Sequence, residues 1–411
     1  MLRLVLLAAA VAGCLAGSAP IVAFNNEAQA AVRAYGIPSQ ISSKIYAYVH
    51  TAQYVAIDTK QSADVQNAAA AYAGHTALSL FFPWRFAQLD KAIKPLLDGI
   101  PENARAKGEA AGRAAAIDIY KKAITDGFAA YQPFTPAPPG SAPGLYQFTP
   151  NQTNVVYPQI AYTRALVLDN IKSYKPAPPL TIPSTAYTTY LAETSAWAAP
   201  TPPTAPRSRP TLPSSGPTAT VSGPPALLAL TPSAAATSTV AGHFNNIAQV
   251  LLPASISTKK AAQLFAELNA ATWDASIAAY RAKYLKPFWR PITAINQGDN
   301  VPADAAYVDA TWTPLLSTPA HPEHPSGHSA TAAAAAAVIT KRLGAKSFTI
   351  GTEFPGLANR TYANAQAAAD EVNDSRVYAG VHFRHAVIEG AKLGARVAAD
   401  VLKQFEGKFS K

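Results

Sequence analysis

The sequence predicts an all-α protein, a body of helices wrapped in long proline-rich loops. Two observations carry that reading. Apolar residues recur at helical spacing in "SSKIYAYVHTAQYVAIDTK" (Ser42–Lys60) and, among good helix formers, in "NARAKGEAAGRAAAIDIYKKAITDGFAAY" (Asn103–Tyr131). Alternating patterns of the kind a half-buried strand requires are scarce, and prolines separate one helical stretch from the next.

Taken in order, residues 1–18 read as an export signal: Arg3 supplies the positive end, "LVLLAAAVAG" the short apolar core, and "AGS" small residues for cleavage after Ser18. The core is too short to cross a bilayer comfortably. The protein is therefore expected to be secreted, with lipid anchoring through Cys14 of "VAGC" as a lesser alternative. Cys14 is the only cysteine, so cleavage after Ser18 would leave neither disulfide nor thiol chemistry. Residues 19–198 form an N-terminal helical half, with a Pro-, Tyr- and Thr-rich stretch from Pro133 to about Pro183 suited to ordered loops. Residues 199–232 begin with "APTPPTAPRSRPTLPSSGPTATVSGPP", which cannot form a packed element and reads as a flexible insert. Residues 233–411 form a C-terminal helical half.

At 411 residues and 49% hydrophobic, the chain can bury a substantial core. Its formal charge of +10 comes without a polybasic run or basic residues interleaved with aromatics, which argues against nucleic acid and leaves small anions as partners. No second apolar span follows the signal. Assembly into a homo-oligomer stays open.

The chemistry lies in the C-terminal half. "STKKAAQLFAELNAATWDASIAAYRAKYLKPFWRPITAIN" begins with Ser257 or Thr258 as N-cap and runs helically until Pro287 and Pro291 interrupt it. Lys283 and Arg290 are seven residues apart, so on an unbroken helix they would share a face. Arg290 sits between Trp289 and Pro291, where an unpaired guanidinium would be costly to bury, so an anion is expected to meet it. Further on, "HPEHPSGHSATAAAAAAVIT" (His321–Thr340) places three of the eight histidines in eight residues before an alanine-rich helix. Ser326, Gly327 and His328 open that helix, whose free N–H groups and dipole suit an anion; Gly327 allows close approach and Ser326 adds a hydroxyl donor. An ordinary serine cap beside a surface histidine is the plainer alternative. Near the C-terminus, "DSRVYAGVHFRHAVIEG" sets Arg376 and His382 six residues apart in an apolar segment.

In this order, Lys-x6-Arg-Pro ("KYLKPFWRP"), Pro-Ser-Gly-His and Ser-Arg-x5-His ("SRVYAGVH") make up a three-part signature. The chain resembles the family joining vanadium-dependent haloperoxidases to type 2 phosphatidic acid phosphatases, in its soluble, exported, haloperoxidase-like branch. The resemblance implies the helical-bundle fold of the vanadium haloperoxidases and vanadate as cofactor. Lys283, Arg290 and Arg376, with Ser326 and the Gly327 amide, would bind the oxyanion. His382 would be the one protein ligand of vanadium, and His328 the acid–base on the apical oxygen. His321 falls where bromoperoxidases carry a histidine, and would help to position or activate halide; a proline-fixed loop histidine capping a carbonyl is the alternative. His324 has no role in the resemblance. One departure stands out: the family pattern usually has Asp four residues after the ligand histidine, where it would orient the imidazole, and this chain has Ala386. Glu389 or a backbone carbonyl could stand in.

The leading function is vanadate-dependent oxidation of bromide or iodide by hydrogen peroxide, with a small organic acceptor. An exported acid phosphatase acting on a phosphoester is the alternative, with His382 as the nucleophile that becomes phosphohistidine and His328 protonating the leaving group. A catalytically weakened extracellular scaffold is a further one.

Overall fold

The stretch from Ser257 to Leu285 that reads as one long helix is buried on nearly every face, as its apolar composition requires. It is the axis of the molecule. The computed structural model describes residues 17–197, 239–351 and 358–409. Residues 1–16, including Cys14, and the whole insert expected at 199–232 lie outside the described residues.

The N-terminal half is built from α1 (Ala19–Ala34), α2 (Ser39–Ala56), α3 (Ala63–Phe81), α4 (Phe86–Leu97) and α5 (Glu102–Thr125). Residues 126–184 hold only short 3₁₀ turns at Pro158–Tyr162 and Ile171–Ser173, in keeping with long loops on a helical body. They are tied to the axis by Asp274, whose carboxylate accepts the backbone N–H groups of Leu166, Val167 and Leu168 at 2.7, 3.0 and 3.0 Å. Next come α6 (Thr185–Trp197), α7 (Val240–Leu251), the axial α8 (Thr258–Leu285), α9 (Pro291–Gln297), α10 (Gly327–Leu343), α11 (Ala365–Tyr378) and α12 (Arg384–Phe409). Among the described residues the only sheet is a pair of three-residue antiparallel strands, β1 (Phe348–Ile350) and β2 (Arg360–Tyr362). No described helix is long and apolar enough to cross a membrane.

Helix α8 packs on α2 from the N-terminal half and on α10 and α12 from the C-terminal half, so one element joins both cores. The alanines of α10 and two glycines of α12 bring those helices unusually close: a Cβ on Gly394 would lie 2.0 Å from the Ala330 carbonyl oxygen, and one on Gly390 would lie 2.4 Å from that of Ser326. That crossing fixes the start of α10, where Pro-Ser-Gly-His lies, against the start of α12, which follows His382. A second cluster, including Tyr187, Phe288, Trp289, Trp312 and Phe383, packs beneath the same region.

Candidate active site

Each of the three sequence motifs ends a helix or begins one, and the turns bring their side chains together. Lys283 is in the last turn of α8 and fully buried. Arg290 does not share a helix with it: α8 stops at Leu285, and Arg290 is the extended residue that caps α9. The helix breaks where Pro287 and Pro291 are expected to interrupt it, so the shared face of an unbroken helix does not arise, and the turn of the chain brings the two cations to one site. Likewise α11 ends at Tyr378, Gly380 turns at φ +73°, and His382 stands in the bend before α12. Arg384 holds that bend through ion pairs to Glu193 of α6, at 2.7 Å, and Asp374 of α11.

Lys283 Nζ donates to the carbonyls of Pro322 and Glu323 at 2.9 and 2.8 Å. Arg290 donates through Nε to the His321 carbonyl at 2.9 Å and through Nη1 to that of Val381 at 2.8 Å. Its Nη1 also lies 3.3 Å from His382 Nε2, and Nη2 lies 3.0 Å from His321 Nδ1. Both cations therefore anchor the 321–323 loop as well as charging the cavity. Arg376 is buried, and its Nε has no hydrogen-bond partner. Ser326 caps α10, accepting from the Ser329 N–H at 3.3 Å and the Ser329 hydroxyl at 3.0 Å, which leaves its own proton to donate. A Cβ built on Gly327 would make only ordinary contacts, with Tyr280 at 3.6 Å and Lys283 at 3.9 Å, so packing does not demand glycine there. His328, half-buried, lines a narrow cavity with Tyr280 and Gly327, to which Ser39 and Gln40 of α2 contribute from the other half of the chain.

The electrostatics are those of an anion site. Burial, then Arg290, lowers the pKa of Arg376 to about 9. Burial also pulls Lys283 well below its ordinary value, with Arg290 adding to the effect. His321, His328 and His382 are all pushed well below the usual histidine range, first by burial and then by the surrounding cations. One carboxylate, Glu323, faces these charges; burial raises it to about 7, against the pull of Arg290 and Lys283. An oxyanion such as vanadate fits this donor set: three buried cations, an unsatisfied guanidinium N–H and a helix N-terminus.

Two histidines of the 321–328 stretch thus face the cations and the third does not. His321 lies against Arg290 and tilts over Tyr280, whose ring centre is 5.1 Å away. His324 is buried facing away from the cations, with Nε2 2.8 Å from the Ala177 carbonyl and its ring stacked on His385. Glu389 does not stand in for the missing acid at Ala386; it accepts the Ala177 N–H at 2.9 Å and pairs with Lys392. The acid beside His382 is Glu323, which the motifs do not mark: its Oε1 is 2.8 Å from His382 Nδ1. The only trace of it in the sequence is a carboxylate set between the two prolines of "HPEHP", in a segment that proves buried.

Residues 263–411 match the family of the VCPO second helical-bundle domain. Among solved structures, a bacterial vanadium-dependent iodoperoxidase is similar at 23% identity and a TM-score of 0.75, over 94% of this chain and 96% of that one. The holo form of a bacterial vanadium-dependent chloroperoxidase is similar at 16% identity and a TM-score of 0.69, over 92% and 93% of the two chains. Its apo form gives 17%, 0.66, and 90% and 94%. No curated protein matches the chain in sequence.

Proposed function

We propose that the chain belongs to the superfamily of vanadium haloperoxidases and type 2 phosphatidic acid phosphatases and is a vanadate-dependent haloperoxidase oxidising bromide or iodide with hydrogen peroxide; the fold shared with bacterial vanadium haloperoxidases and the match of residues 263–411 to the VCPO second helical-bundle domain support the reading. The observation that carries the reading is the buried group Lys283, Arg290 and Arg376, with His382 Nε2 3.3 Å from Arg290 Nη1. Lys283, Arg290, Arg376, Ser326 and the Gly327 N–H would hold the oxyanion, and His382 would ligate its metal. Vanadate, when bound, supplies the means to activate peroxide for oxygen transfer to halide.

The chain's own residues prepare that reaction. The three cations offset the charge of the anion in a dry site, where their attraction is strong. His328, kept neutral by burial and by the same cations, can take a proton from incoming peroxide and return it to a leaving oxygen. His321 is held at Nδ1 between Arg290 Nη2 at 3.0 Å and the Pro322 carbonyl at 3.1 Å, and would position halide or oxygen beside the cations.

A phosphatase needs the same cage and uses the same histidine as nucleophile. Glu323 removes one ground for separating the two, since a nucleophilic His382 would no longer lack an acid beside it. The deciding experiment assays purified protein, with and without orthovanadate, for peroxide-driven bromide and iodide oxidation and for para-nitrophenyl phosphate hydrolysis. Halide oxidation that appears only with vanadate is the expected result. Abundant acid-labile phosphohistidine at His382, with no vanadate-dependent oxidation, would make the phosphatase reading primary.

A further inference from the structure

The imidazole of His382 has a neighbour at each ring nitrogen. A guanidinium can only donate, so the long 3.3 Å contact of Arg290 Nη1, whose shorter bond goes to the Val381 carbonyl at 2.8 Å, weakly favours the lone pair on Nε2 and the ring proton on Nδ1. Nδ1 then donates to Glu323 Oε1 at 2.8 Å, the same oxygen that accepts the Phe383 N–H at 3.0 Å. Both side chains are 1% exposed, so water does not compete for either group. Glu323 cannot drift with the ring, because its backbone is pinned at both ends. Its N–H donates to the Phe288 carbonyl at 2.9 Å, and its own carbonyl accepts from Lys283 Nζ at 2.8 Å. Position 386, four residues beyond His382, holds a buried alanine that offers no side-chain acceptor.

We propose that Glu323 is the positioning residue of this site: it holds His382 as the Nδ1–H tautomer with Nε2 turned toward the oxyanion, so the orienting acid has moved from the helix after the histidine to the loop before Pro-Ser-Gly-His. The same loop carries His321, whose Nδ1 lies 3.0 Å from Arg290 Nη2, so Arg290 stands between the two rings and Glu323 locks that of His382. The proposal rests on the haloperoxidase reading for the identity of the anion. It does not rest on that reading for the tautomer.

A carboxylate near an anion repels it, so removing Glu323 has opposite effects on two similar ligands. Orthophosphate, which takes no bond from His382 in its resting complex, should bind as before or more tightly. Orthovanadate, which needs the oriented ring nitrogen, should bind about tenfold or more weakly, the usual cost of losing an outer-shell partner of a ligating histidine. Calorimetric titration with each anion, together with ¹⁵N spectra of the imidazoles in anion-free protein, reads both effects on the full chain. In Glu323→Ala we expect loss of the Nδ1–H signature of His382 and loss of the preference for vanadate over phosphate. Glu323→Gln keeps the shape and should move both readouts in the same direction by less, which covers a failure of the alanine variant to fold. Adding Ala386→Asp to Glu323→Ala should restore the tautomer and the preference. An unchanged tautomer and preference in Glu323→Ala overturns the proposal. So does an equal fall in both affinities, which marks a role in packing only. Wild-type protein with no preference for vanadate would instead count against the haloperoxidase reading, and the tautomer in the two variants would still decide the role of Glu323.

Discussion

Replacing His382 by alanine removes the ring nitrogen that faces the cations and leaves Lys283, Arg290 and Arg376 in place. Orthovanadate should therefore still bind, held by three positive charges, while halide oxidation falls by about a hundredfold or more for want of the ligand. Binding measured by calorimetry beside steady-state bromide oxidation checks this; equal losses in both would show that His382 contributes only to binding. At this scale, residues whose chemistry is written in a motif are legible: the sequence alone marks Lys283, Arg290, Ser326, Gly327, His328, Arg376 and His382. It does not mark Glu323. Its partner is 59 residues away, and the contact depends on how a loop closes, which local pattern does not report. Helical spacing, the periodicity a sequence displays, points instead to Glu389 as the substitute acid. His382 stands outside the helix that carries Glu389, so that spacing does not apply.

Between elements, the crossing of α10 and α12 determines whether the Pro-Ser-Gly-His turn and His382 stay in register. Gly394→Ala would place a methyl group 2.0 Å from the Ala330 carbonyl oxygen and 2.8 Å from its carbon, and backbone cannot yield as a flexible side chain does. The helices must separate, at a cost of about 2–3 kcal/mol. Gly407→Ala, in the same helix with nothing within 4 Å, is the control and should stabilise by up to about 1 kcal/mol. Denaturant titration of the two variants separates packing from helix propensity: similar midpoints would deny that the close approach matters. The helices themselves were readable from apolar spacing and caps, and Ser257 does cap α8, accepting the Lys260 N–H at 3.4 Å. The breaks at 286–290 and 379–383 were less readable, since a proline or glycine marks where a helix stops without giving the direction the chain then takes.

Across the whole molecule, the core holds histidines in their neutral form, and this shapes how stability depends on pH. His50 is fully buried on α2, its ring nitrogens 2.9 Å from Gln53 Oε1 and 3.4 Å from Asn25 Oδ1, and burial lowers its pKa to about 4. His324, 2% exposed, is likewise lowered to about 4, by burial first. The folded value lies below the unfolded value of about 6.5, so each group contributes stability that is fully present above that pH and is lost as pH falls toward 4. A gap of that size corresponds to about 3 kcal/mol per histidine. Within the window each should add up to about 1.4 kcal/mol per pH unit to the slope of unfolding free energy against pH. Denaturant unfolding at intervals from pH 7.5 to 4 should show stability nearly flat above 6.5 and falling steeply below it. His50→Gln, which cannot take up the proton, should be less stable at pH 7 but shallower in slope by about one proton. A variant whose curve parallels wild type across the window would show that His50 titrates no differently folded than unfolded, and that the acid sensitivity of this fold arises elsewhere.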